Sequence, residues 1–147
     1  MESWLLDLEN NRSSILVVDD TYDNCFLLQS FLESEGYEVD TAESGVEAIA
    51  KIEMNLPTLV LLDVMMPEMN GYEVVENIRQ NLHLHHLPIL LVTGMDTSAI
   101  PAAEQNNVNG VIHKPVDFDQ LLEKIQAFTQ PNYSASEWKC KWSKNDL

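Results

Sequence analysis

The sequence predicts an α/β fold, a doubly wound five-stranded parallel sheet, on three observations. Apolar runs of strand length alternate with segments of helical period five times along the chain, the mark of parallel strands joined by crossover helices. Residues 15–18, 59–62 and 89–92 are apolar without interruption, as strands covered on both faces must be. At 147 residues the chain suits a single core, and it carries no internal repeat or low-complexity tract.

The first strand, 15–18, leads into a helix with Leu27, Leu28, Phe31 and Leu32 on its inner side, ending at Gly36. Residues 37–42 alternate as a second strand. Ala48, Ile49 and Ile52 mark the inner face of a second helix, stopped before Pro57. The third strand, 59–62, is bounded by Asp63, and Val74, Val75 and Ile78 belong to a third helix beginning near Gly71. Residues 89–92 form a fourth strand and 110–113 a short fifth. In the fourth helix, Pro101 is comfortable only in the first turn, so a short helix beginning near Ile100 is expected. Asn107 suits its C-terminal cap in the left-handed conformation. The last helix starts at Asp117 as cap, with Gln120 three residues on and Val116 and Leu121 spaced as a hydrophobic staple.

Residues 13–129 therefore make one domain, flanked by an acidic extension (1–12) and a tail (130–147). The extension carries Trp4, Leu5 and Leu8; the tail carries Trp138 and Trp142 with Lys139, Lys141 and Lys144. The tail reads as frayed chain in preference to a docking segment. A formal charge of −16 repels nucleic acid and anionic lipid, which argues against either as a partner. No apolar run approaches the roughly 18 residues of a membrane span, and Met1-Glu2-Ser3-Trp4 lacks the basic start of a signal peptide. A cytoplasmic location is expected. Cys25 and Cys140 lie far apart in unlike contexts and read as free thiols.

The strand ends carry the chemistry, because ligands of parallel α/β sheets gather at the carboxyl ends of the strands. Strand one ends in Asp19-Asp20, strand three in Asp63, strand four in Thr93, and strand five leads into Lys114-Pro115. Taken singly, each has a structural reading: aspartates cap helices and turns, threonine is an ordinary strand residue, and a lone lysine is usually solvated. Packing gives no reason for three acids to meet on one rim. Like charges raise each other's pKa and oppose folding, and a hard divalent cation relieves that cost. Oxygen ligands at this charge density suit Mg2+, which keeps sites for water and phosphate oxygens. Thr93 and Lys114 are placed to meet phosphoryl oxygens.

At these residues the chain resembles a known family. Asp63-Val64-Met65-Met66-Pro67-Glu68-Met69-Asn70-Gly71 is similar to the receiver domain of bacterial response regulators. So are Val17-Val18-Asp19-Asp20, Leu90-Leu91-Val92-Thr93 and His113-Lys114-Pro115, and the likeness runs from about residue 15 to 128. The resemblance implies a CheY-like, flavodoxin-like sheet in the order 2-1-3-4-5 and a phosphoacceptor at Asp63. It implies Mg2+ held by Asp19, Asp20, Asp63 and the Met65 backbone carbonyl, with Thr93 and Lys114 contacting the phosphoryl group. It also implies a cis peptide before Pro115. Phosphate would come from a histidine kinase or a phosphotransfer protein. The 18 residues after Thr129 are too few for an output domain, so a downstream protein target or onward phosphotransfer is expected.

The chain departs from that pattern at Val111, where most receivers carry the tyrosine or phenylalanine that turns inward when the threonine moves. Valine cannot act as that rotor. Met65 and Met95 stand beside the site, either shielding an acyl phosphate from water or filling gaps. Two enzyme classes are excluded. Haloacid-dehalogenase-type phosphatases need a carboxylate two residues after the nucleophile, where Met65 stands, and a dinucleotide fold needs a glycine-rich turn after strand one. The chain is thus expected to catalyse only its own phosphoryl transfer and slow autodephosphorylation. The alternative is a degenerate receiver acting as a phosphate-independent interaction module. His83, His85 and His86 read as a solvated loop in preference to a metal cluster.

Overall fold

The computed structural model describes residues 13–129; the extension and the tail, with Trp4, Trp138, Trp142 and Cys140, lie outside the described residues. Five strands, β1 (Ser14–Val18), β2 (Glu38–Ala42), β3 (Leu59–Asp63), β4 (Ile89–Thr93) and β5 (Gly110–His113), form one parallel sheet in the order β2-β1-β3-β4-β5. They alternate with helices α1 (Tyr22–Ser34), α2 (Gly45–Met54), α3 (Gly71–Gln80), α4 (Ala102–Asn106) and α5 (Phe118–Thr129). The expected fold class and strand order are both observed.

Alternation along the central strands builds two cores. Leu16, Val18, Val60, Leu62, Ile89 and Leu91 meet Ala48 and Ile52 of α2 and Val74, Val75 and Ile78 of α3. Ile15, Val17, Leu59, Leu61, Leu90 and Val92 face the other way, onto Cys25, Leu28 and Leu32 of α1 and Leu121 and Ile125 of α5. Successive side chains of a strand point to opposite faces, so an unbroken apolar run serves both layers.

α1 corrects one expectation. Its buried stripe is Cys25, Leu28 and Leu32, with Phe31 partly buried beside it, whereas Leu27 is 54% exposed. Leu28 and Leu32 are one turn apart and Cys25 one turn earlier, so the stripe is complete without Leu27.

The short helix expected near Ile100 is observed, with its first residue two positions later. A short 3-10 turn, Thr97–Ala99, comes first, and α4 starts at Ala102 with Pro101 as its N-cap. Asn107 does cap α4, but in the right-handed region at φ −91°. Its N–H closes the last turn on the Glu104 carbonyl at 3.2 Å without a left-handed residue, and the Arg79 guanidinium takes its carbonyl at 2.7 Å. Arg79 also donates to the carbonyls of His85 and Leu87, at 3.0 and 2.7 Å, and to Asn109 Oδ1 at 3.2 Å. One side chain from α3 thus ties down the loop before β4 and the turn before β5.

α5 begins as expected. Asp117 Oδ1 accepts from the N–H groups of Asp119 and Gln120 at 3.0 and 3.1 Å, and Val116 and Leu121 lie in the same core cluster. The His83–His86 loop is exposed apart from Leu84, with the His85 and His86 rings 3.8 Å apart. No helix among the described residues is long and apolar enough to cross a membrane.

Candidate functional site

The sheet order puts β1 and β3 side by side, with Val18 paired to Leu62, so the residues that follow them share one rim. Asp19, Asp20 and Asp63 each offer a carboxylate oxygen, and these atoms lie within 4.8 Å of one another. Asp19 and Asp63 are buried and Asp20 is exposed. Lys114 reaches in from the end of β5: its Nζ stands 3.4 Å from Asp19 Oδ2 and 3.6 Å from Asp63 Oδ1. Three negative charges and one positive leave two to be neutralised, which matches a divalent cation.

The two buried acids are held in place locally. Asp19 Oδ1 accepts from the Thr21 N–H at 2.9 Å, and Oδ2 accepts from Asn24 Nδ2 at 3.2 Å. Asp63 Oδ1 accepts from the Met65 N–H at 3.3 Å. Burial, and then the Asp19 carboxylate, push the Asp63 carboxyl above its ordinary value, while Lys114 and the Met65 N–H pull it back. Burial is the larger cause because most of this side chain is out of water.

Thr93 ends β4 fully buried, with Oγ1 accepting from the Met95 N–H at 3.1 Å, and its carbonyl accepts from the Lys114 N–H at 2.8 Å. The Lys114-Pro115 peptide is cis, as expected. Met65 is 67% exposed, while Met95 and Val111 are partly buried against the core shared with α2 and α3. Cys25 sits beneath the rim, its Sγ donating to the Asp19 carbonyl at 3.3 Å, and burial pushes the thiol up to about 11. It is an inert core residue.

The loop between Asp63 and α3 holds what the sequence reading missed. The Gly71 N–H donates to the Val64 carbonyl at 2.9 Å. A Cβ built on Gly71 would stand 2.5 Å from the Asp63 carbonyl oxygen and 2.8 Å from Val64 Cα. Only a glycine lets α3 seat this closely beneath the acid. Asn70 and Glu73 then close a capping box, at 3.0 and 2.9 Å, and Glu68 takes a left-handed φ of 66° to turn the chain. Asn70 with Glu73 three residues on was a visible signal for the box.

The residues fit Mg2+. An octahedral ion with ligands at about 2.1 Å sets neighbouring oxygens about 3 Å apart and opposite ones about 4.2 Å apart, so the trio needs only small side-chain adjustments.

Together the fold and rim define a doubly wound α/β module with an acidic pocket and a lysine at the carboxyl ends of its strands. The sequence profile of the response regulator receiver domain matches residues 15–126, and the chain belongs to that family, a module of two-component signalling. Response regulator PleD of Caulobacter vibrioides is 36% identical over 118 residues, covering 79% of this chain and 26% of PleD. The chain thus spans about a quarter of PleD's length. The polar-differentiation response regulator DivK of Brucella ovis is 29% identical over 119 residues, 78% of this chain and 94% of DivK. Among solved structures, TrrA of Thermotoga maritima in complex with Mg2+-BeF is 35% identical with a TM-score of 0.72, covering 79% of this chain and 98% of TrrA. Chemotaxis protein CheY4 of Vibrio cholerae is 29% identical with a TM-score of 0.71, covering 80% and 98%.

Proposed function

We propose that this chain is a response regulator phosphorylated on Asp63, with residues 13–129 as its receiver unit. The carrying observation is the carboxylate trio spanned by Lys114, an arrangement that destabilises the fold unless it serves an ion and an anionic substrate. Mg2+ would be held by Asp19, Asp20, Asp63 and the Met65 carbonyl. That TrrA was solved with Mg2+-BeF supports this ligand chemistry. The bound ion supplies neutralisation of the charge that builds up during phosphoryl transfer.

The chain's own residues do the rest. Asp63 Oδ1 receives the Met65 N–H and faces Lys114, while Oδ2 has no hydrogen-bond donor among the described residues and is the attacking atom. A new Oδ2–P bond forms as the bond from phosphorus to the donor breaks, and the bonding pair leaves with the donor group. For a phosphohistidine donor that group is the imidazole, which recovers a proton from solvent. The Lys114 ammonium pairs with a phosphoryl oxygen, and the Thr93 hydroxyl hydrogen-bonds another. The donor is a histidine kinase or a phosphotransfer protein, and the phosphorylated form signals by protein contact or onward transfer. Beyond its own phosphorylation and slow hydrolysis of the acyl phosphate, the chain acts as a signalling module.

Intact-mass measurement after treatment with acetyl phosphate and Mg2+ tests this reading. Wild type should gain one phosphoryl group and the Asp63→Asn variant none. Stoichiometric labelling of the variant would overturn it, and an unlabelled wild type would favour the phosphate-independent module.

A further inference from the structure

A run of hydrogen bonds connects Thr93 with the end of β5. The Met95 N–H donates to Thr93 Oγ1 at 3.1 Å. His113 Nδ1 lies 3.1 Å from the Met95 carbonyl oxygen, and its Nε2 lies 2.8 Å from Thr97 Oγ1. A carbonyl only accepts, so Nδ1 carries a proton, and in the neutral ring Nε2 accepts from the Thr97 hydroxyl. Both ring nitrogens are thus committed to the segment that follows Thr93.

The strand register explains how the ring reaches that segment. Thr93 is paired with His113, and Leu91 with Val111. His113 and Val111 are two residues apart on one strand and share a face. The ring therefore stands one step beyond Val111 toward the carboxyl end, against the loop leading to α4. That loop is otherwise held by local turn bonds, Ala99 N–H to Asp96 and Ile100 N–H to Thr97, and by Gln105 Nε2 on the carbonyls of Thr97 and Ile100. Among the described residues, the sheet's side-chain hydrogen bonds to this loop come from Thr93 of β4 and His113 of β5, and His113 alone bridges Met95 and Thr97.

We propose that His113 is a positioning residue for Thr93: it latches residues 94–97 in the resting arrangement and lets go when Asp63 is phosphorylated. The inference rests on the assignment of Asp63 and Thr93 above. When the Thr93 hydroxyl turns toward a phosphoryl group, it leaves the Met95 N–H, and a peptide that rotates to follow it carries the Met95 carbonyl off the imidazole. The threonine movement is thereby reported to β5 by polar contacts, where Val111 has no ring to report it by packing. A latch of this kind makes the unphosphorylated state favour the closed loop, and its removal shifts the population toward the phosphorylation-ready one.

The test uses the full chain as wild type, His113→Leu, His113→Gln and Thr97→Val. Amide exchange at Met95 is measured without phosphate, and the initial rate of Asp63 labelling is measured with acetyl phosphate and Mg2+. Hydrogen bonds of this kind bias an equilibrium by about threefold to tenfold each. The His113→Leu variant should accelerate both readouts by at least the lower figure. Glutamine offers one donor and one acceptor and should bring both back toward wild type, which a merely space-filling role for the ring would not do. Thr97→Val, an exposed substitution, should fall between and carries the test if the leucine variant does not fold. Equal exchange and equal labelling in wild type and His113→Leu would overturn the latch, as would a glutamine variant no nearer wild type than leucine. A wild type that takes no phosphate refutes the Asp63 assignment instead, and the exchange comparison still decides the latch.

Discussion

Replacing Gly71 with alanine should destabilise the fold and loosen the metal pocket together. The added Cβ would sit 2.5 Å from the Asp63 carbonyl oxygen and 2.8 Å from Val64 Cα, against ordinary contacts of about 3.5 Å. Both neighbours are backbone, so relief requires α3 or the end of β3 to move by about 0.7–1 Å. Overpacking of this kind costs about 1–3 kcal/mol, and rigid neighbours place it toward the top. Alanine recovers part of this through its helix propensity, at most about 1 kcal/mol, leaving a net loss of about 2 kcal/mol. For a domain of this size that lowers Tm by about 8 °C. Thermal unfolding followed by circular dichroism measures it, with Gly94→Ala as control. There the added Cβ meets nothing within 4 Å, and the expected change is neutral or slightly stabilising. Because the displaced atoms carry Asp63 and lead to Met65, Mg2+ should also raise Tm less in the Gly71 variant. A Gly71→Ala protein that melts with the Gly94→Ala control would show that no close seat for α3 is lost at Gly71.

Four further outcomes are expected. Mg2+ should raise the wild-type Tm, since a ligand that binds only the folded state at 100 times its Kd adds about 2.7 kcal/mol. Asp20→Asn should weaken that response without lowering metal-free stability, and an unchanged response would remove Asp20 from the site. The folded Asp63 carboxyl titrates above its ordinary 3.8, so its ionisation opposes folding: the penalty is absent below that value, accrues as pH rises from it to the folded one, and is complete above. Metal-free Asp63→Asn should therefore be more stable than wild type at neutral pH, with a margin that narrows as denaturation is repeated at lower pH. Arg79→Met keeps the stem but strands the Leu87, His85 and Asn107 carbonyls, and chemical denaturation should show a loss of about 2 kcal/mol.

How far the sequence could be read follows from the range of each interaction. The three central strands were legible because an uninterrupted run of four branched aliphatics has few other uses. The site was legible because a parallel sheet brings its strand ends together, so Asp19, Asp20, Asp63, Thr93 and Lys114 could be placed on one rim without knowing any distance. Leu27 was misjudged because α1 is apolar over two adjacent rows, and periodicity cannot say which row ends at the sheet. Asn107 was given a left-handed cap because its residue type allows one, whereas its N–H closes on Glu104 in the right-handed region; its carbonyl's partner, Arg79, is 28 residues away and leaves no trace in sequence spacing. The seat of Gly71 against Asp63 and the grip of His113 on Met95 and Thr97 are likewise contacts between separate elements, and they exist only once the sheet is assembled.

Whether Asp63 carries the phosphoryl group is decided most directly by locating the modification. After treatment with acetyl phosphate and Mg2+, borohydride reduction converts an aspartyl phosphate to homoserine, and peptide mass spectrometry reads its position. Homoserine is expected at position 63 and at no other acid of the rim. Homoserine at Asp19 or Asp20, or a phosphoryl group borne instead by His83, His85, His86 or His113, would contradict it.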